Sequence, residues 1–251
     1  MGPYVLSVRG IAFFAGNGYT KNSNAGKGVL TVWEEWTDLL PFWEKLTPAQ
    51  RSRINARASR QRYEKGEPVH QGGYDCQGVL LVLRGCLRTY MLSAEGREIT
   101  LFHITKGEMC LLSASCILRP ITFEVFVEAE EETEVMRIPA DVMAAVSGEN
   151  LYAENFLYKG IAGRFSDVMR ALQQVLFMGV DKRLATFLLE ESDRCGSPVL
   201  RITHEQIARE VGSAREVVTR MARQFARAGW ITLARGSVTI VDKGALKGLL
   251  E

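Results

Sequence analysis

The spacing of hydrophobic residues changes twice along the chain. Between residues 62 and 138, apolar and polar residues alternate in short runs that glycines separate, which is typical of β-strands joined by turns. Before and after this segment, apolar residues recur at intervals of three and four, which predicts helices. We therefore expect a strand-rich unit that lies between helical segments, with a further helical unit at the carboxyl end.

The strand-rich segment is predicted to fold as a small roll. About eight short strands with glycine turns are typical of a sandwich or rolled barrel. Two helices are expected before it, one from Trp33 to Phe42 and one that Thr47 caps and that runs to about Ser59. The strand candidates are residues 62–63, 69–70, 79–83, 87–92, 98–103, 109–112, 123–129 and 134–138.

A long helix is predicted after the roll, over residues 155–178, because this segment contains few helix breakers. Its apolar residues follow a spacing of three and four, which is a heptad pattern that favours pairing with a second copy of the chain. The alternative is that this row packs against the chain's own roll. The row consists of Tyr158, Ile161, Phe165, Val168, Leu172 and Val175.

Two short helices are predicted between residues 202 and 230, with a turn at Gly212. Thr203 with Gln206, and Ser213 with Glu216, have the spacing of capping boxes, so each pair is expected to begin a helix. The second helix has a polar face rich in arginine. This arrangement is typical of a helix-turn-helix whose second helix enters the DNA major groove. The alternative is a helical hairpin with a solvated basic face.

The segment that follows, residues 231–240, predicts a β-hairpin with its turn at Arg235-Gly236-Ser237. A hairpin in this place would form the wing of a winged helix-turn-helix. We expect Arg235 at its tip to contact a DNA phosphate.

The amino-acid composition indicates the number of domains and the cellular compartment of the protein. The 251 residues are 47% hydrophobic and 24% charged, which indicates a globular protein of about two domains. The net charge is only +2 and arginine concentrates between residues 201 and 235, which favours site-specific DNA binding over general coating. Five cysteines without a CxxC pair fit a reducing cytoplasm. No apolar run reaches the roughly 18 residues of a membrane span.

These patterns together predict an α+β protein with four segments. No nucleophile–base motif, metal triad or phosphate loop is present, so the chain is not expected to be an enzyme. The three histidines, His70, His103 and His204, lack metal-ligand spacing, and a haem ligand among them is unsupported. The segments are a disordered extension (1–31), a β-roll domain (32–150) to which the resemblance given next assigns effector sensing, a dimerisation helix (151–179) and a winged helix-turn-helix domain (180–251).

The order of these elements resembles the CRP/FNR family of bacterial transcription regulators across residues 33–251. The segment Arg215–Arg220, REVVTR, is close to the family's recognition-helix pattern R-E-T-V-(S/G)-R and is the most specific match. The other segments that resemble the family are residues 63–67, 82–85, 96–98, 106–108 and 133–138.

The resemblance implies that Arg215, Glu216 and Arg220 read bases. Arginine can donate two hydrogen bonds to guanine, and glutamate can accept one from cytosine. It further implies a homodimer on an inverted-repeat operator with G·C pairs in each half-site, and RNA polymerase as a partner if the protein is an activator. Thr219 is expected to touch a thymine methyl group. Thr203, Ser213 and Arg235 complete the predicted DNA-contacting set.

The chain departs from the family where cyclic AMP is bound. With residues 106–108 aligned to the family's earlier Gly-Asp/Glu turn, the positions that hold the ribose are Leu111 and Leu112, and those that hold the phosphate are Phe123 and Glu124. A carboxylate repels a phosphate. In the alternative register Arg119 meets the phosphate, but the Ser/Thr-Ala after it is missing. Both registers argue against cyclic AMP.

Other cofactors are not predicted either. No cysteine lies before Cys76, whereas the iron–sulfur members need a cysteine cluster near the amino terminus. Cys110 and Cys116 are either small buried apolar residues or a redox-reactive or ligand-contacting pair. The candidate effector pocket consists of Cys110, Leu111, Leu112, Cys116, Phe123 and Glu124.

The sequence therefore predicts a homodimeric DNA-binding regulator that an unidentified effector other than cyclic AMP, or a redox signal, controls. The alternative is a small-molecule or thiol-redox sensor module in which DNA binding is not regulated by the effector.

Overall fold

The computed structural model describes residues 36–71, 78–111 and 124–250. Several predicted features fall outside these ranges, namely the extension over residues 1–31, the start of the helix predicted from Trp33, and the side chains of Leu112, Cys116, Arg119 and Phe123.

The described chain begins with two 3-10 helices, Thr37–Leu39 and Trp43–Lys45, and not with the single helix predicted up to Phe42. Pro41 lies between them and has no backbone N–H, so it cannot continue a helical hydrogen-bond pattern. Helix α1, Pro48–Arg57, follows with the predicted capping box. The Thr47 hydroxyl accepts from the Gln50 amide at 3.3 Å, and the Gln50 side chain accepts from the Thr47 amide at 3.0 Å.

The strands form the predicted roll, which consists of two four-stranded sheets in the order β1-β8-β3-β6 and β2-β7-β4-β5. Each predicted strand overlaps an observed strand, and the fold class is confirmed. The described ranges contain eight strands of the roll. Residues 112–123, which lie between β6 and β7, are outside these ranges, so the count refers to the described residues alone. The strands are β1 Ser59–Tyr63, β2 Pro68–Gln71, β3 Val79–Arg84, β4 Cys86–Leu92, β5 Glu98–Thr105, β6 Met109–Cys110, β7 Phe126–Ala129 and β8 Thr133–Ile138.

Strand β3 is buried on both faces, which explains its continuous apolar sequence. Leu80 and Val82 point into the core between the sheets. Val79 and Leu81 point the other way, into a second core that the helical segments cover. The roll is therefore held to the helices through its central strand.

Helix α2, Ala140–Glu149, leads into the long helix α3, Leu151–Phe177. Helix α3 begins four residues before the predicted start at Asn155, because the Asn150 side chain accepts hydrogen bonds from the amides of Tyr152 and Ala153 and so acts as its N-cap. Its 27 residues span about 40 Å.

The carboxyl-terminal unit has its own core. Helices α4 and α5 pack against α6, and the hairpin of β10 and β11 pairs with β9. Leu188, Ile207, Val218 and Phe225 are among its buried residues. The elements are α4 Val180–Cys195, β9 Val199–Leu200, α5 His204–Val211, α6 Arg215–Arg227, β10 Ile231–Ala234, β11 Ser237–Ile240 and α7 Lys243–Gly248.

Among the helices of the described ranges, none has both the length and the hydropathy to cross a membrane.

Candidate nucleic-acid interface

Helix α5 begins and ends as its sequence predicts. The Thr203 hydroxyl accepts from the Gln206 amide at 3.2 Å, and the Gln206 side chain accepts from the Thr203 amide at 2.9 Å. Gly212 ends the helix with φ +59°, a left-handed conformation that glycine adopts without strain. The direction in which the chain enters α6 is therefore set by local sequence.

The predicted capping box at Ser213 is wrong. Helix α6 begins one residue later, with Ala214 as its N-cap and no side-chain hydrogen bond. The Ser213 amide instead donates to the Ala208 carbonyl at 2.9 Å, so this residue belongs to the turn that closes α5. The first amides of α6 consequently have no hydrogen bond from an N-cap side chain.

Helix α6 divides into a buried and an open face. Val218, Ala222 and Phe225 are buried against the rest of the carboxyl-terminal unit. The opposite face lines an open, shallow groove that holds four guanidinium groups. The groove residues are Arg215, Glu216, Thr219, Arg220, Arg223, Gln224 and Arg227. A positively charged helix face of this kind fits a polyanion such as DNA.

The structure brings four of the predicted base-reading residues together, since Arg215, Glu216, Thr219 and Arg220 all line this groove. Glu205 on α5 lies 3.9 Å from Arg215. Both partners are largely exposed, so this ion pair leaves the Arg215 side chain available at the groove.

Thr219 has a second partner that its sequence position does not reveal. Its hydroxyl lies 3.0 Å from Nδ1 of His204, in the first turn of α5. Burial, followed by the nearby charges of Arg215 and Arg223, lowers the pKa of His204. Thr219 thus has its hydroxyl engaged within the protein, while its methyl group remains for an apolar contact.

The hairpin predicted as a wing is present. Ile231 pairs with Ile240 and Ala234 with Ser237, so the chain turns at Arg235 and Gly236. Gly236 has φ +72°, a conformation that favours glycine, and Arg235 is exposed at the tip.

The predicted effector pocket is only partly within the described ranges. Cys110 and Leu111 are buried in the roll, whereas Glu124 is exposed. Leu111 reaches helix α3: a Cβ added at Gly160 would lie 2.8 Å from Leu111 Cδ1. Leu111 therefore contacts the long helix closely at Gly160.

The predicted apolar row on α3 divides between two directions. Ile161 and Val168 pack against the cores of the roll. Val175 lies inward as well, near Gly212. Tyr158, Phe165 and Leu172 point outward and are exposed.

Sequence reasoning did not include two further exposed apolar residues on the outward side of α3, Met169 and Leu176. Both continue the outward positions, because each follows Tyr158, Phe165 or Leu172 by four residues. The sequence shows the spacing of these residues along the helix. It does not show which apolar row of α3 stays exposed once the helix packs against the roll.

Two family models match the chain. The cyclic nucleotide-binding domain model matches residues 60–150, and the Crp-like helix-turn-helix domain model matches residues 182–249. The first covers the roll with α2, and the second covers the unit that carries α5, α6 and the wing. The Cyclic AMP receptor protein of Thermus thermophilus is 26% identical over 208 residues, which are 82% of this chain and 95% of that protein.

Solved structures show the same arrangement. A protein of the CRP/FNR family from Eubacterium rectale is 46% identical, with a TM-score of 0.81 over 85% of this chain and 99% of that one. The c-di-GMP responsive global regulator of Xanthomonas campestris shares the fold at 20% identity, with a TM-score of 0.66 over 77% of this chain and 99% of that one. The chain with the roll, the long helix and the arginine-lined α6 belongs to the CRP/FNR family of DNA-binding transcriptional regulators.

Proposed function

We propose that the protein is a homodimer that binds an inverted-repeat DNA operator, and that an effector other than cyclic AMP sets its operator affinity. The observation that carries this proposal is the exposed apolar row on α3. As a regulator that acts on chromosomal DNA, the protein is placed in the cytoplasm, with RNA polymerase as a further partner if it activates transcription.

The outward row of α3 has the chemistry of a helix–helix interface. Phe165 is 66% exposed and Leu176 is 61% exposed. Large apolar side chains in a continuous exposed row are typical of interaction surfaces. Their spacing of seven, four, three and four residues is the spacing of a coiled-coil seam, which supports a second copy of α3 as the occupant. The row consists of Tyr158, Phe165, Met169, Leu172 and Leu176.

Pairing through α3 would give the dimer two copies of α6. Two recognition helices related by a two-fold axis read two half-sites of a symmetric operator. Arg215 and Arg220 favour guanine and Glu216 favours cytosine, so each half-site is proposed to contain G·C pairs.

The roll supports an effector other than cyclic AMP. Leu111, at a position where the resemblance places a ribose contact, is buried and packs against α3 at Gly160. Glu124 offers a negative charge where a phosphate would need a cation. A ligand that shifts Leu111 would move the long helix, and it would act by binding one arrangement of the dimer more tightly than another.

The test is a selection of bound duplexes from a random pool by the purified full-length protein. It is run without ligand, with cyclic AMP, and under reducing and oxidising conditions. We expect an inverted repeat with G·C pairs, whose enrichment cyclic AMP does not change. Arg220→Ala in the same selection is expected to lose preference at one position of each half-site. Enrichment of a single, non-repeated site, or enrichment that requires cyclic AMP, would contradict the proposal.

A further inference from the structure

A charged interface joins the roll to the DNA-binding domain. Helix α5 packs against strand β5, on the outer surface of the sheet that contains β4, β5 and β7. This surface carries charged side chains, several of which are largely buried where α5 covers them. Burying a charged group without a partner costs free energy, so buried charges are expected to be paired with each other or with a bound ion.

One side of the interface consists of ion pairs around Arg88. Its side chain is 3% exposed, and its Nε donates to Glu128 at 2.9 Å. The guanidinium also contacts Glu98, which in turn lies 3.5 Å from Arg209 on α5. Thr100 links the same network to α5, since its hydroxyl lies 3.4 Å from a carboxylate oxygen of Glu210. These contacts hold α5 against the sheet.

Next to this network, three side chains from different elements meet. His103 lies on β5, Glu130 follows β7, and Glu210 lies on α5. The His103 Nε2 atom is 2.9 Å from Glu130 Oε2 and 3.4 Å from Glu210 Oε1. One ligand-type atom from each of the three lies within 4.8 Å of the other two. The side chains of His103 and Glu210 are only 6% and 12% exposed.

We propose that His103, Glu130 and Glu210 bind a divalent transition-metal cation such as Zn²⁺ between the roll and the DNA-binding domain. One imidazole N–H can serve two carboxylates only through a shared three-centre bond, which leaves the negative charges of Glu130 and Glu210 close together, whereas a cation attracts all three groups. Zn²⁺ binds imidazole nitrogen and carboxylate oxygen at about 2.0–2.2 Å, so ligands of one ion lie roughly 3–4 Å apart. Three protein ligands leave a position for water.

The mixture of imidazole nitrogen and carboxylate oxygen at the site also determines which class of cation it favours. Imidazole suits zinc and neighbouring transition metals, whereas Mg²⁺ prefers oxygen ligands alone. The site has no short metal-binding motif in the sequence, because its ligands are 27 and 80 residues apart along the chain. Only the contact between domains brings them together.

The position of the site gives it a consequence for regulation. Two ligands belong to the roll and one to the first helix of the helix-turn-helix, so the ion would bind the arrangement in which α5 lies on the sheet more tightly than any other. By linkage, it would then shift the operator affinity. This consequence rests on the proposed function, whereas the metal site itself does not.

The test is isothermal titration of the tag-free, chelator-treated full-length protein with Zn²⁺ in a thiol-free reducing buffer, and separately with Mg²⁺. We expect one equivalent of Zn²⁺ per chain and much weaker binding of Mg²⁺. His103→Gln and Glu210→Gln should each weaken Zn²⁺ binding by at least about tenfold, which is the effect that loss of even an outer-shell partner has. Circular dichroism confirms that each variant is folded.

The matched control is Glu131→Gln, which removes one exposed carboxylate beside Glu130 and should leave the Zn²⁺ affinity unchanged. The site is refuted if Zn²⁺ does not bind, if His103→Gln and Glu210→Gln bind it as tightly as the parent protein, or if Glu131→Gln loses as much affinity as they do. These titrations contain no DNA, so failure of the operator selection would leave them unaffected. With the selected operator, Zn²⁺ should change the affinity of the parent protein and not that of Glu210→Gln.

Discussion

At the scale of single residues, Arg220 and Arg235 are expected to affect DNA binding differently. Arg220 lies in the groove of α6, so Arg220→Ala should cost about 1–3 kcal/mol of operator binding and relax the preference at one base position. The measurement is a fluorescence anisotropy titration with the selected operator and with single-base variants of it.

Arg235→Ala provides the comparison, because this side chain lies at the tip of the wing and is predicted to meet a phosphate. It should weaken binding to all duplexes about equally and reduce the dependence of affinity on salt. Loss of base preference in Arg235→Ala but not in Arg220→Ala would mean that the recognition helix is incorrectly assigned.

His204 gives a prediction on pH. Its pKa is lowered in the folded protein, first by burial and then by Arg215 and Arg223. Between this lowered pKa and the unfolded value of about 6.5, the unfolded chain binds more protons. The contribution of His204 is therefore fully retained above about pH 6.5 and is lost as the pH falls through this window.

We expect the melting temperature of His204→Gln to fall less than that of the parent protein when the pH is reduced from about 7.5 to about 5.5. His70 and His103 are present in both proteins, so the difference between them isolates His204. An equal fall in the two proteins would show that His204 does not carry this dependence.

Single residues were predictable where the signal is local. Thr203 and Gln206 form their capping box because all the groups involved lie within three residues. Ser213 has the same spacing to Glu216, but its amide is used by the turn that closes α5, so α6 begins one residue later. The contact between His204 and Thr219 depends on how two helices pack, which spacing along the chain does not encode.

At the scale of elements, Gly212 joins two helices in a conformation that other residues adopt at a cost. Gly212→Ala should destabilise the protein by about 1–2 kcal/mol, because the added Cβ is strained at φ +59°. The control is Gly148→Ala in α2, where φ is not positive and nothing lies within 4 Å of the added Cβ. This change should be neutral or stabilise by up to about 1 kcal/mol. Thermal unfolding of both variants measures the contrast, and equal shifts would exclude strain at Gly212.

Helix α3 gives the prediction for the dimer. Phe165→Glu places a charge in the middle of the outward row, and we expect the protein to become monomeric because a buried unpaired carboxylate is costly. Sedimentation velocity measures the change. Val241→Glu introduces the same charge at another exposed apolar side chain and should leave the dimer intact. A Phe165→Glu protein that still sediments as a dimer would remove α3 as the interface.

Elements were predicted well where the apolar pattern is regular. The strands of the roll follow from short alternating runs and glycine turns, although β3 proves to be buried on both faces and continuously apolar instead of alternating. Of the helix predicted from Trp33 to Phe42, the described residues form only the 3-10 helix Thr37–Leu39, because Pro41 cannot donate the next hydrogen bond. On α3 the pattern predicted an apolar stripe, but it could not show which of its residues are buried and which are exposed. Ile161 and Val168 are covered by side chains that are distant in the sequence.

At the scale of the whole molecule, the order of the domains was predictable and the contact between them was not. The roll, the long helix and the winged unit each follow from their own periodicity. The interface of α5 with β5 depends on Arg88, His103 and Glu210, which sequence reasoning could treat only as isolated charges. This interface is where the proposed metal site lies, so the regulatory chemistry is less visible in the sequence than the DNA-binding chemistry.

Helix α3 carries two parallel apolar rows, and this limits how the molecule can change shape. Ile161 follows Tyr158 by three residues, so the inward and outward rows are about 60° apart around the helix axis. Rolling the helix toward the roll by that angle would bring the outward row against the sheets, but it would also turn the inward row a further 60° out of its present contacts. The two rows therefore cannot trade places by a small rotation. A signal that starts in the roll is accordingly expected to reach the paired recognition helices by moving α3 together with the surface it packs on, and not by turning the helix about its axis.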